Sequence, residues 1–239
     1  MTTQRTDSVT IGADGTMDLH LWFPDGDHGP GLVLLQEIFG VGAYLRAVAE
    51  RLAAAGYVVG APDVFWRFAP GWASDHDEAG LAASMEQVAN LDPELAVSDC
   101  LAAHAALAQL DEVGGAPGVI GFCLGGTLAF GVAIGGEPAV CVGYYGSGIP
   151  AMVERLDDVT CPTLLHFGAT DAYIPTEGVE AIAAAIDRRP NVVLNVEAAG
   201  HAFDNHESDM FYDEPAAKAA WAKTMAFLAE HHPVAAAES

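Results

Sequence analysis

The stretch V-I-G-F-C-L-G-G-T-L-A-F, Val119 to Phe130, constrains the fold of this chain more than any other. Val119 and Ile120 end a short apolar run of the kind that fills a buried strand. Gly121 to Gly126 form a turn, and Thr127 to Ile134 open an apolar helix. In such a strand–turn–helix the central side chain is pushed out at the strand's carboxyl end, on a strained backbone. Here the centre is Cys123, flanked by Gly121 and Gly125, where a Cβ would collide with neighbouring backbone. A thiol at a helix start also gains from the positive end of the helix dipole, which favours thiolate. Two blander readings compete. A glycine-rich turn of this kind can cradle a phosphate, but G-x-G-x-x-G is absent and no Gly-Lys-Ser/Thr follows. A buried structural cysteine is the common fate of the residue. The flanking glycines, with an acid and a histidine downstream, favour the presented thiol.

The rest of the chain alternates strand and helix. Gly15–Phe23 alternates as a strand, and Gly31–Gln36 is a continuous apolar run, as expected of a central parallel strand covered on both faces. A helix spans residues 43–55, closed by Gly56, and a buried strand spans 57–61. Residues 63–77 form an aromatic, irregular loop of the kind that lines or lids a site. Helices follow over 78–90 and from the Asp92-Pro93 cap to about 110. Further strands are expected at 139–145, 163–167 and 192–196. Helices are expected from a Thr176 cap to about 188 and from Pro215 to about 231. Residues 1–10 read as a loose start and the last residues, P-V-A-A-A-E-S, as a frayed tail. The expectation is a single α/β domain over residues 1–239, its central sheet mostly parallel with helices on both faces.

Charge and composition remove several functions. The chain holds 9 basic against 33 acidic residues, a net charge of −24. Binding to nucleic acid or to an anionic membrane through a general basic surface is disfavoured. Self-repulsion at this charge favours moderate or high salt. No apolar run is long enough to span a bilayer, and the start M-T-T-Q-R-T-D-S has no apolar signal core. The four cysteines, Cys100, Cys123, Cys141 and Cys161, form no C-x-x-C pair, so a reduced, cytoplasmic setting is expected. The histidines show no recurring ligand spacing, so no metal site is expected.

Ligands of parallel sheets bind at the carboxyl ends of the strands. Glu37, Cys123, Asp171 and His201 each fall just after an expected strand, so all four should meet at one edge. The order nucleophile, acid, histidine is that of the α/β-hydrolases. His201, in A-G-H-A-F, can take the thiol proton and return a proton to a leaving group. Asp171, in G-A-T-D-A-Y, can fix the imidazole tautomer. An oxyanion needs two donors: the backbone N–H of Leu124, and one from the loop after the Gly31–Gln36 strand, placed at Ile38.

Taken together, Q-E-I-F-G-V, G-F-C-L-G-G-T-L-A-F, V-G-Y-Y-G, the G-x-x-D loop and A-G-H-A-F resemble the dienelactone hydrolase (carboxymethylenebutenolidase) family, from about Gly15 to about Leu228. The resemblance implies a Cys123–Asp171–His201 triad cleaving a lactone or activated ester through an acyl-enzyme. It implies Glu37 as an additional acid that contacts the nucleophile, and Tyr144 as a tyrosine near the site. Substrate contacts are expected from Phe39, Trp66, Arg67 and Phe203, with Phe65, Phe68 and Trp72 adding aromatic surface. The partner is a small molecule and the chain a monomer or small homo-oligomer. One departure stands out. The family's carboxylate-binding arginines fall in stretches that here read A-G-L-A-A-S (79–84) and F-D-N-H-E (203–207), with no basic residue except the histidine. An anionic substrate loses its clamp. A neutral ester or thioester becomes the alternative substrate, and a non-catalytic binding or sensing role the alternative function.

Overall fold

The computed structural model describes residues 3–235, so residues 236–239 of the tail expected to fray lie outside the described residues. Eight strands form one sheet: β1 (Thr3–Ile11), β2 (Gly15–Phe23), β3 (Gly31–Leu35), β4 (Val58–Pro62), β5 (Gly118–Phe122), β6 (Cys141–Tyr144), β7 (Thr163–Gly168) and β8 (Val192–Glu197). Their order is β1-β2-β4-β3-β5-β6-β7-β8. β1 and β2 pair antiparallel with their neighbours, and every pairing from β4 to β8 is parallel. The helices are α1 (Ala43–Ala54), α2 (Glu78–Val88), α3 (Pro93–Leu107), α4 (Leu124–Gly135), α5 (Thr176–Ile186) and α6 (Glu214–His231). This is the α/β-hydrolase arrangement. β3, β4 and β5 are buried along their whole length, the requirement for an apolar run in a sheet covered on both faces.

Several starts and stops follow local chemistry. Asp77, Asp92 and Asp213 accept backbone N–H bonds at the heads of α2, α3 and α6, and Gly56 takes φ +103° just past α1. Three expectations need correction. Residues 3–10 are not loose but belong to β1, which pairs along its full length with β2. Its polar T-Q-R-T-D-S-V-T-I edge carries little hydrophobic signal, and the hairpin is closed by Gly12 and Gly15 at positive φ. Thr176 does not cap α5; it is the first helical residue, after Pro175, and makes no side-chain cap. Ile149–Asp158, not expected to be regular, is a 3-10 segment.

The chain reverses its direction of sheet growth between β3 and β5. β4 lies on one side of β3 and β5 on the other. The crevice opened by such a switch point is where the carboxyl-end loops of these strands can meet a ligand. Here those loops carry Glu37 and Cys123.

Candidate active site

Cys123 sits between β5 and α4 with φ +52° and ψ −113°, a conformation that non-glycine residues rarely adopt. The glycines explain how the strain is tolerated. A Cβ at Gly121 would lie 2.0 Å from the carbonyl oxygen of Gly125, and one at Gly125 would lie 2.1 Å from that of Leu35. The head of α4 is thereby packed against the end of β3. Leu124 and Ile38, the residues expected to donate to an oxyanion, both border the same cavity as Cys123.

The remaining groups arrive from β7 and β8. Nδ1 of His201 lies 2.7 Å from Oδ2 of Asp171, and Nε2 lies 3.1 Å from Sγ of Cys123. A carboxylate only accepts, so Nδ1 carries the proton and the Nε2 lone pair faces the thiol. Asp171 is held in turn by the backbone N–H groups of Tyr173 and Ile174, at 2.8 and 3.1 Å. Ala202, next to the histidine, has φ +51°, and Tyr145 has φ +37° with its ring 5.3 Å from that of His201. Three of the four positive-φ non-glycine residues in the described chain therefore cluster at this site.

Burial dominates the electrostatics. It holds the Cys123 thiol well above its ordinary range, with the Glu37 carboxyl adding to the effect, the Leu124 N–H opposing it and Asp171 adding again. Glu37 is buried and its pKa is pushed up to about 8, first by burial and then by Asp204, against donors from Asn205 and Tyr145. Asp204 is itself pushed up to about 6 by burial, while the Tyr44 hydroxyl donates to it at 2.7 Å. At neutral pH Glu37 is mostly a neutral acid.

The cavity over these groups holds about 490 Å³. Ile38, Phe39, Leu124 and Phe211 form apolar walls, and Leu81, Met85 and Val88 of α2 close one side. No lysine or arginine lines it. A second cleft of about 650 Å³ beside it is bordered by Asp75, Asp77, Glu78, Glu207 and Asp209. Among the described residues no cluster of three or more His, Cys, Asp or Glu is arranged to hold a metal ion.

Of the expected substrate contacts, Phe39 lines the cavity and four others do not. Arg67 is engaged elsewhere: Nε and Nη2 each donate to the buried Asp99 at 2.8 Å, and Nη1 donates to Asp14 at 2.9 Å. Trp66 donates its indole N–H to the same Asp99, with Arg67 stacked over its ring at 4.5 Å. Tyr144 is fully buried; its hydroxyl lies 2.6 Å from Thr224 of α6, so Tyr145, the next residue, reaches the site in its place. Phe203 is fully buried beneath Tyr145, ring centroids 5.1 Å apart. Phe65, Phe68 and Trp72 of the aromatic loop pack against the core and do not border the cavity. The missed residues were Tyr145, Asn205, Tyr173, Phe211 and the α2 stripe. Only the stripe carried a sequence signal, its i, i+4, i+7 spacing at 81, 85 and 88. α2 fully buries only Ser84, so that stripe serves the cavity more than the core.

A strained cysteine at a strand–helix turn, bonded to a histidine that is bonded to an aspartate, on this sheet, defines an α/β-hydrolase of the cysteine type. Comparison with known proteins gives the family. The dienelactone hydrolase family model matches residues 17–232. A carboxymethylenebutenolidase from a Pseudomonas species is 35% identical over 228 residues, covering 95% of each chain. Carboxymethylenebutenolidase 1 of Cupriavidus pinatubonensis is 33% identical over 225 residues, covering 92% of this chain and 94% of that one. The crystal structure of a dienelactone hydrolase-like promiscuous phosphotriesterase from metagenomic libraries shares the fold, with a TM-score of 0.79 at 24% identity over 96% of this chain and 98% of that one. The chain belongs to the dienelactone hydrolase family and is an ester or lactone hydrolase of that type.

Proposed function

We propose that Cys123 is the nucleophile and that the substrate is a neutral, apolar lactone or aryl ester. The observation that carries the first part is the continuous run Asp171–His201–Cys123 at 2.7 and 3.1 Å. His201 Nε2 takes the thiol proton as Sγ attacks the carbonyl carbon. The oxyanion is held by the backbone N–H groups of Leu124 and Ile38. Collapse breaks the ester C–O bond, and His201 returns the proton to the leaving oxygen. Water, deprotonated by His201, then attacks the thioester; the acid leaves and the thiol is restored. Glu37, mostly neutral at pH 7, removes a repulsive charge from beside the forming thiolate. No cofactor has a part in this scheme.

The substrate class rests on the cavity wall. A charge-assisted contact to a carboxylate contributes roughly 1.5–3 kcal/mol, and no cation is present to make one. Arg67 is tied to Asp99 and Asp14. The net charge of −24 slows an anion's approach. The test is a matched pair of aryl esters, one neutral and one bearing a carboxylate, at two ionic strengths. We expect kcat/KM to favour the neutral ester by roughly 100-fold or more at low salt, narrowing as salt rises. Preference for the anion at low salt contradicts this assignment.

The chain works as one domain over residues 1–239 on a small-molecule substrate, alone or as a small homo-oligomer, without nucleic acid or membrane. No helix among the described residues is long and apolar enough to cross a membrane. Four cysteines outside any disulfide support a reduced, cytoplasmic location.

A further inference from the structure

Behind the Glu37 carboxyl a hydrogen-bonded chain runs away from the thiol. Nδ2 of Asn205 donates to Oε2 of Glu37 at 2.6 Å and lies 2.7 Å from Nδ1 of His76. Asn205 is fully buried, and Glu37 and His76 are buried beside it. A third contact decides which way the amide faces: the backbone N–H of Glu207 donates to Oδ1 of Asn205 at 3.2 Å. Nδ2 has two N–H bonds and spends one on each neighbour, so both neighbours must offer lone pairs. His76 is then neutral with its proton on Nε2. Glu37, when protonated, carries the proton on Oε1, which makes no hydrogen bond of good geometry.

The far end of this chain returns to the cavity. The His76 ring stacks on Phe39, centroids 4.1 Å apart and planes 23° apart, and Phe39 lines the cavity. Burial, the largest effect, favours the neutral ring; Glu207, a hydrogen bond to Asn205 and Asp75 pull toward the charged form, and His206 away from it. With Nδ2 facing the ring the amide can only donate, so this contact selects the neutral imidazole. Around Glu37 stand Asp204, Tyr44, Tyr145 and Cys123. None of the groups around Glu37 is a cation. Asn205 holds Oε2 of the carboxyl through a direct hydrogen bond, with Tyr145 a second donor to the same group.

We propose that Asn205 is a positioning residue of this active site: one buried amide nitrogen ties Glu37 to a neutral His76 and leaves Oε1 as the oxygen of Glu37 that carries the proton. The inference rests on the reading that Cys123 is the nucleophile, because the thiol is what the oriented acid serves. A neutral relay has a consequence that a cation in the same place would not. A cation would hold Glu37 ionised at neutral pH; an amide leaves it an acid. Phe39 also makes the relay sensitive to what fills the cavity, since the ring that meets the substrate packs on the imidazole that meets the amide.

The test reads protonation, not turnover, and uses the full chain. Nitrogen-15 NMR of the His76 ring in the wild-type protein is expected to show the neutral Nε2–H form at pH 7. The Nδ1–H form, or an imidazolium, overturns the proposal whether or not any variant folds. The second arm follows the carboxylic C=O band of Glu37, identified by its loss in Glu37→Gln, through a pH titration by infrared spectroscopy. Asn205→Leu removes the donor to Oε2, and Asn205→Asp, nearly the same size, replaces it with an acceptor. Both should move the Glu37 inflection up by about one unit or more, and Asn205→Asp should also protonate His76. A purely structural Asn205 predicts lost thermal stability with an unmoved inflection, and that result overturns the proposal. Ester hydrolysis by wild type, and its loss in Cys123→Ala, tests the nucleophile separately, so either idea can fail without the other.

Discussion

Glu37 is buried beside the half-buried Cys123, and their protonation states oppose each other. An ionised carboxylate at Glu37 restrains the thiol, because a like charge disfavours thiolate. Burial removes that restraint at neutral pH, because an acid with its pKa pushed up to about 8 is mostly uncharged there. The restraint then sets in only above that pH. The same shift makes a statement about stability. The folded-state pKa of Glu37 lies above the ordinary value of 4.5, so its favourable contribution is complete below pH 4.5 and is lost as pH rises through about 8. We expect wild type to lose roughly 2–3 kcal/mol more stability between pH 6 and pH 9 than Glu37→Gln does. Denaturant unfolding of both proteins at the two pH values measures it. Parallel losses in the two proteins would place the ionised form of Glu37 in a solvated setting.

At the scale of elements, the loop between β4 and α2 shows what a sequence hides. Its aromatic residues look like substrate contacts, yet Trp66 and Arg67 converge on Asp99 of α3 and anchor the loop to the body of the protein. Arg67→Ala leaves the buried Asp99 without its guanidinium and should cost about 3 kcal/mol. The ratio of rates on neutral and anionic esters should stay unchanged; thermal unfolding and the matched ester pair check both halves. The parallel strands and most helices were legible because their signals are local: apolar runs, an aspartate before a helix, a glycine after one. So were Cys123, Asp171 and His201, each a strand-end residue in a glycine-bearing turn. β1 was hidden by its polar edge. Tyr144 rested on the family resemblance alone, and no local signal warns that the positive φ of Tyr145, just past the end of β6, brings that next ring to His201 instead. Asn205 was invisible because its partners, Glu37 and His76, are 168 and 129 residues away in the chain.

Over the whole molecule, the switch point between β3 and β5 concentrates the chemistry. Glu37 comes from one side of it and Cys123 from the other. His201 and Asp171 arrive over the edges of β8 and β7. The net charge of −24 and a cavity lined by no lysine or arginine act in the same direction, and both support the proposed preference for uncharged substrates. All of this depends on Cys123 being the group that is acylated. The direct measurement is to mix the protein with an activated neutral aryl ester, quench in acid within the first turnover, and map the peptides by mass spectrometry. An acyl mass increment is expected on the peptide holding Cys123, absent from Cys123→Ala, with Cys100, Cys141 and Cys161 unmodified. Acylation of another residue, or full turnover by Cys123→Ala, would contradict it.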